Sequence, residues 1–282
     1  MIILKFAEDV IFQLQKLRLT KSSIGFVPTM GALHKGHISL LEKSKQCCEV
    51  SVSSIFINPT QFNNADDFKK YPVTLEHDIY TLEKNGCDIL FIPSVNEMYP
   101  KENITKKHFD IGYLETILEG KFRPGHFQGV CQVVNRLLEI INPTHLFIGQ
   151  KDYQQCMVIK KLLGLENFDI QLTICPTLRE ENGLAMSSRN LRLDEKQRDE
   201  AAEIYKTLLG IKQKIKPGFL RHLKKEAEEH LMEKNIKPDY IEIAVANNLK
   251  SLDEWNGIDK IVLLAAAYID DVRLIDNILL QD

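Results

Sequence analysis

Short apolar runs rich in β-branched residues recur through the first two-thirds of the chain, with helix-like patterns between them. Residues 24–27, 50–57, 88–92, 144–148 and 168–174 read as strands. Residues 37–48, 78–85, 127–141 and 153–163 read as helices. This alternation predicts βαβ units, hence an α/β fold with a mostly parallel sheet and helices on both faces. Ligands of such sheets bind outside the carboxyl ends of the strands, so the residues that follow each strand carry the chemistry.

The texture changes near Pro176. Arg179 to Asn182 is charged and polar, Gly183 follows, and Ser187-Ser188-Arg189-Asn190 has loop chemistry. Two long charged helical patterns come next, at 194–214 and 217–234, whose charged sides read as solvated faces. Apolar runs at 240–245 and 261–269 follow, with a third strand candidate at 272–275. The expected division is a first domain at 1–176 and a smaller α+β domain at 177–282, with no internal repeat.

Composition narrows the function classes. The 282 residues are 44% hydrophobic and 27% charged, as in an ordinary globular chain. Lys and Arg total 36 against 39 Asp and Glu, so no global basic excess points to nucleic acid or an anionic membrane. The six cysteines, Cys47, Cys48, Cys87, Cys131, Cys156 and Cys175, form no C-x-x-C pair, which argues against a zinc ribbon or a dithiol redox motif. The first ten residues hold Lys5, Glu8 and Asp9 and lack a signal-peptide core, and the longest apolar run is far too short to span a bilayer. The expectation is a soluble protein of a reducing compartment.

Four segments carry polar chemistry, three after predicted strands and one at the domain junction. The first is Pro28-Thr29-Met30-Gly31-Ala32-Leu33-His34-Lys35-Gly36-His37. Its glycines allow close backbone approach, and the helix it opens offers free N–H groups to a phosphate. A helix starting near His34 would place His34 and His37 on one face, able to donate to charge developing on phosphate oxygens. A glycine turn with two surface histidines meets the same spacing equally well. The second is Asn58-Pro59-Thr60-Gln61, whose neutral amides suit a small hydroxylated carboxylate; a proline turn with solvated amides is the plainer reading. The third is Gly149-Gln150-Lys151-Asp152-Tyr153-Gln154-Gln155, with Lys151 as a point charge for a phosphate, or simply a charged helix start. The fourth is Leu184-Ala185-Met186-Ser187-Ser188-Arg189-Asn190, an anion clamp or a linker. Arg123-Pro124-Gly125-His126 adds positive charge near the site or is a turn. No Walker loop, G-x-G-x-x-G or evident Ser-His-Asp or Cys-His arrangement is present, and no metal ligand is assigned.

Together, PTMGALHKGH, INPTQF, GQKDYQQ and GLAMSSRN resemble the pantoate–β-alanine ligase family, within the nucleotidyltransferase-like HxGH superfamily. The resemblance covers nearly the whole chain and is most specific up to Asn190. It implies a Rossmann-like doubly wound sheet with a C-terminal α+β lid, usually in a homodimer, and cytoplasmic. It implies condensation of pantoate with β-alanine, driven by ATP with Mg²⁺ held mainly by the phosphates, through a pantoyl adenylate, releasing AMP and pyrophosphate. His34, His37 and Lys151 would be catalytic, His37 as proton donor. ATP contacts would map onto Met30, Gly31, Ala32, Leu33, His34, Lys35, Gly36, His37, Gly149, Gln150, Lys151, Asp152, Leu178, Met186, Ser187, Ser188 and Arg189. Pantoate contacts would map onto Pro28, Thr29, Met30, Gln61 and Gln155, with Gln61 also facing β-alanine. Two positions depart from the family pattern: Gln150 stands where many members carry Glu, and Val245 where an acidic residue is expected. The competing readings are another nucleotidyltransferase with a phosphorylated acceptor, and a nucleotide-sensing module that binds ATP without turnover. The neutral amides at Asn58, Gln61, Gln154 and Gln155 favour a small carboxylate acceptor.

Overall fold

The computed structural model describes residues 1–20, 23–100 and 107–280. Its larger sheet has six strands: β1 (Ile2–Leu4), β2 (Ile24–Thr29), β3 (Val50–Ile55), β4 (Ile89–Phe91), β5 (His145–Gly149) and β6 (Gln171–Cys175). They run in the order β1-β4-β3-β2-β5-β6, and every pairing is parallel. The crossovers are α1 (Ala7–Arg18), α2 (Lys35–Cys47), α3 (Ala65–Lys69), α4 (Leu75–Lys84), α5 (Val95–Met98), α6 (Leu118–Phe122), α7 (His126–Ile141) and α8 (Tyr153–Leu165). Strand β3 is buried along its whole length, as a central parallel strand must be. Two of its serines are partnered: Ser53 Oγ donates to the Val27 carbonyl (3.0 Å) and Ser51 Oγ to Asp88 (2.7 Å). The chain leaves β2 to one side for β3 and returns on the other at β5, so the topological switch lies between the carboxyl ends of β2 and β5.

The second sheet is antiparallel, in the order β11-β10-β8, from β8 (Lys237–Val245), β10 (Ile261–Ile269) and β11 (Val272–Leu280). Helices α9 (Glu195–Lys214) and α10 (Arg221–Glu233) pack on it through Ile204, Leu208, Leu223 and Leu231. A small ladder joins β7 (Gly218–Phe219) to β9 (Glu254–Trp255). Among the described residues, no helix is long and apolar enough to cross a membrane.

Several elements differ from the sequence expectation. Strand β1 and helix α1 were not anticipated: three residues at a sheet edge, with Ile2 and Ile3 exposed, carry no readable period. The helix expected at 217–234 starts at Arg221, because Gly218 takes φ 126° and joins β7. The strand expected at 272–275 runs on to Leu280, since its whole length pairs with β10.

The chain forms two compact units, Met1–Gly149 with Val158–Pro176, and Gln150–Met157 with Thr177–Asp282. The segment 150–157, given to the first domain by the sequence reading, groups with the second unit. Three hydrogen bonds tie it there: Asn277 Nδ2 donates to the Gln150 and Lys151 carbonyls, and Tyr153 OH donates to the Ala246 carbonyl.

Candidate active site

In the first unit, the loop after β2 is built by the residues around it. Thr29 Oγ1 donates to the Ser54 carbonyl (2.7 Å) and accepts from the Gly31 N–H (3.2 Å). Gly31 and Ala32 then take φ of +82° and +49°. That left-handed pair is held by Asp78, a carboxylate only 1% exposed. Its Oδ2 accepts from the Ala32 N–H (2.9 Å), and its Oδ1 from the Leu33 N–H (2.8 Å) and Thr74 Oγ1 (3.0 Å). These two N–H groups of the candidate nucleotide loop therefore face a buried side chain.

His34 is the N-cap of α2. Its Nδ1 accepts from the Gly36 N–H (3.1 Å), and His37 Nδ1 accepts from the His34 N–H (3.3 Å). This is a capping box with two imidazoles in place of the usual Ser and Glu. The ring centroids lie 4.0 Å apart. A ring nitrogen that accepts an N–H cannot carry a proton, so each neutral ring keeps its hydrogen on Nε2. Both imidazoles are thus fixed as Nε2–H donors at a helix N-terminus, an arrangement suited to phosphate oxygens.

Gln61 sits in the 3-10 turn Pro59–Gln61 and is 8% exposed. Its Oε1 accepts from Asn58 Nδ2 (3.1 Å), and its Nε2 approaches Met30 Sδ at 3.0 Å, which joins two of the predicted pantoate contacts. Asn58 is fully buried. Its Nδ2 also donates to the Gly129 carbonyl (3.1 Å), while its Oδ1 accepts from Thr60 Oγ1 (3.0 Å) and Tyr99 OH (2.8 Å). A side chain at Gly129 would put its Cβ 2.4 Å from the Thr60 carbonyl oxygen, so only glycine lets α7 approach this turn. His126 Nδ1 lies 2.8 Å from the Gln61 carbonyl and must donate to it; Arg123 Nη1 is 3.4 Å from the opposite ring nitrogen. Arg123 to His126 is therefore a turn that braces Gln61.

In the second unit, Gln150–Asp152 forms a 3-10 turn with Lys151 Nζ 3.2 Å from Asp152 Oδ1. Gln155 is half-buried on α8, and its neighbour Gln154 is buried. Gln150, left without a charge-dependent role, donates through Nε2 to Asn277 Oδ1 (3.1 Å). A tight hairpin bridges Arg179 to Ala185, and the Met186 N–H donates to the Leu178 carbonyl (3.0 Å). The hairpin delivers Ser187, whose Oγ accepts from the Arg189 N–H (3.3 Å) to cap the turn Ser188–Arg192. Asn190 ties that turn back through Glu180 Oε1 (2.8 Å) and the Ala185 carbonyl (3.1 Å). Among the described residues, no three His, Cys, Asp or Glu side chains cluster as a metal cradle.

Asp78, Tyr99, Gly129 and Asn277 escaped the sequence reading. Each lies far along the chain from the group it supports, and no local pattern announces it.

The sequence profile of the pantoate–β-alanine ligase family matches residues 3–279, nearly end to end. The chain belongs to this family. Among its curated relatives in the ligase family, pantothenate synthetase of Cytophaga hutchinsonii is 46% identical over 280 residues, covering 96% of this chain and 98% of that protein. The Bacteroides fragilis pantothenate synthetase is 41% identical, covering 96% of each. Of solved ligase structures, pantothenate synthetase from Thermus thermophilus superposes with a TM-score of 0.90 at 35% identity, over 99% of both chains. Pantoate–β-alanine ligase from Francisella tularensis, complexed with β,γ-ATP and β-alanine, superposes with a TM-score of 0.82 at 38% identity, over 99% of this chain and 97% of that one.

Proposed function

We propose that this chain is a pantoate–β-alanine ligase: it condenses pantoate with β-alanine at the expense of ATP, through a pantoyl adenylate, releasing AMP and pyrophosphate. The observation that carries this reading is the end-to-end family match, supported by a close structural neighbour complexed with a nucleotide and β-alanine.

A carboxylate acylates an amine poorly at neutral pH, and adenylation gives it a good leaving group. In the first step the pantoate carboxylate attacks the α-phosphorus of ATP, a reaction governed by positioning and charge neutralisation. The Nε2–H groups of His34 and His37 donate hydrogen bonds to the charge that develops on the phosphates. Lys151 adds a point charge. Ser187, Ser188 and Arg189 clamp the outer phosphates, while Met30 to Lys35, Gly36, Gly149 to Asp152, Leu178 and Met186 complete the nucleotide contacts. Gln61 and Gln155 orient pantoate through neutral amides, which do not repel its carboxylate, and Pro28, Thr29 and Met30 shape its pocket. In the second step the β-alanine amine attacks the adenylate carbonyl beside Gln61, and AMP leaves. No protein nucleophile is required. By the family resemblance Mg²⁺ would be held mainly by the ATP phosphates, where it would supply charge neutralisation. The family resemblance further supports a homodimer acting in the cytoplasm.

The test is product analysis from ATP, pantoate and β-alanine. Pantothenate and AMP formed one to one support the ligase. An adenylylated product that keeps the nucleotide, or ATP binding without turnover, would overturn it in favour of another nucleotidyltransferase or a sensing module.

A further inference from the structure

Strand β11 carries Asp276 and Asn277 at its middle, both buried, the latter 2% exposed. Adjacent strand residues project to opposite faces. Val272, Leu274, Ile278 and Leu280 line the apolar core of the second unit, so Asp276 shares their side and Asn277 does not. Asp276 receives Arg179 at both carboxylate oxygens, 2.6 and 3.0 Å, and Arg179 also donates to the Asn277 carbonyl (3.3 Å). The Arg179 guanidinium stacks 3.6 Å over the Tyr205 ring. The backbone at Asn277 is thereby clamped.

The Asn277 side chain reaches across more than a hundred residues of sequence to one turn. Its Nδ2 donates to the Gln150 carbonyl (3.0 Å) and the Lys151 carbonyl (2.8 Å), and its Oδ1 accepts from Gln150 Nε2 (3.1 Å). All of these residues lie in one compact unit. Holding two successive carbonyls fixes the peptide planes on either side of Lys151 and hence the direction in which its side chain leaves the turn. The lysine stem keeps its own rotamers, so the fixed root sets the point and direction from which the ammonium is presented.

We propose that Asn277 is a positioning residue for Lys151: it sets the turn from which the Lys151 ammonium reaches the transferring phosphate. The proposal rests on the phosphate role assigned to Lys151 above.

The test is a double-mutant cycle on single-turnover pyrophosphate release from ATP and pantoate. Asn277→Asp keeps the shape but turns a carboxylate oxygen toward two carbonyl oxygens. It should slow the first step by about 10²-fold, the scale of a small misplacement of a reacting group, and leave the pantoate KM unchanged. In a Lys151→Ala background the same change should cost nothing more, because residues that act through one another are not additive. Additive losses, or a wild-type rate for Asn277→Asp, overturn the proposal; a merely structural asparagine gives additivity. If Asn277→Asp does not fold by circular dichroism, Asn277→Ser carries the same cycle. Failure of the underlying reading looks different: the wild-type enzyme releases no pyrophosphate with pantoate, or Lys151→Ala alone keeps the full rate, and the proposal falls with it.

Discussion

His34 and His37 do two jobs with two different nitrogens. Nδ1 of each accepts a backbone N–H at the start of α2, which places the hydrogen of each neutral ring on Nε2. Replacing His37 by Ala removes a donor and one arm of the capping box together. His37→Ala and Lys151→Ala should each slow adenylate formation by on the order of 10²-fold or more, comparable to losing one oxyanion donor; near-wild-type single-turnover rates would remove the assigned roles. Asp78 gives a different signature. In Asp78→Asn an NH₂ group must face one of the two loop N–H donors, which costs about 1–3 kcal/mol. Thermal unfolding should show a lowered Tm and titration a weakened ATP affinity, whereas unchanged values in both would contradict the loop-holding role. The histidines were legible in the sequence because the motif itself opens a helix after a strand. Asp78 was not, because it lies 45 residues from Leu33 and its job exists only once α4 has packed.

At the scale of elements, Gly129 sets how closely α7 approaches the turn that carries Gln61. A Cβ there would lie 2.4 Å from the Thr60 carbonyl oxygen and 2.7 Å from Gln61 Cα, both backbone atoms that cannot swing away. Gly129→Ala should therefore push the turn aside and raise the pantoate KM about tenfold, roughly 1.4 kcal/mol, with the ATP KM unaffected. Equal rises in both, or in neither, on steady-state kinetics would contradict this. Strands β2 to β6 were legible because strands of a covered parallel sheet read as near-continuous apolar runs. Strand β1 is too short to show a period, and the start of α10 is set by β7 pairing with β9, a contact that no local pattern encodes.

At the scale of the molecule, buried acids tie stability to pH. Burial pushes the Cys87 and Cys131 thiols up to about 12, with the neighbouring carboxylates Asp88 and Glu115 adding to the effect. Burial likewise raises Tyr153 to about 12. A folded-state pKa above the unfolded one gives stability that is whole below the unfolded value and is lost as pH rises toward the folded value. Each thiol should thus cost roughly 1.4 kcal/mol per pH unit once unfolded thiols ionise, from about pH 9 upward. The urea midpoint should fall between about pH 8.5 and 10.5, and Cys87→Val should flatten that fall; a midpoint independent of pH would contradict the argument.

The segment Gln150–Met157 shows where sequence reading of the whole molecule ended. It follows a strand of the first unit in the chain, and only the contacts of Asn277 and Tyr153 assign it to the second. The most direct test of the two-step ligase is pyrophosphate release from ATP and pantoate, with and without β-alanine. Release of one equivalent per active site without β-alanine, turning over only when β-alanine is added, is the predicted result. No pantoate-dependent release from protein that binds ATP would contradict it.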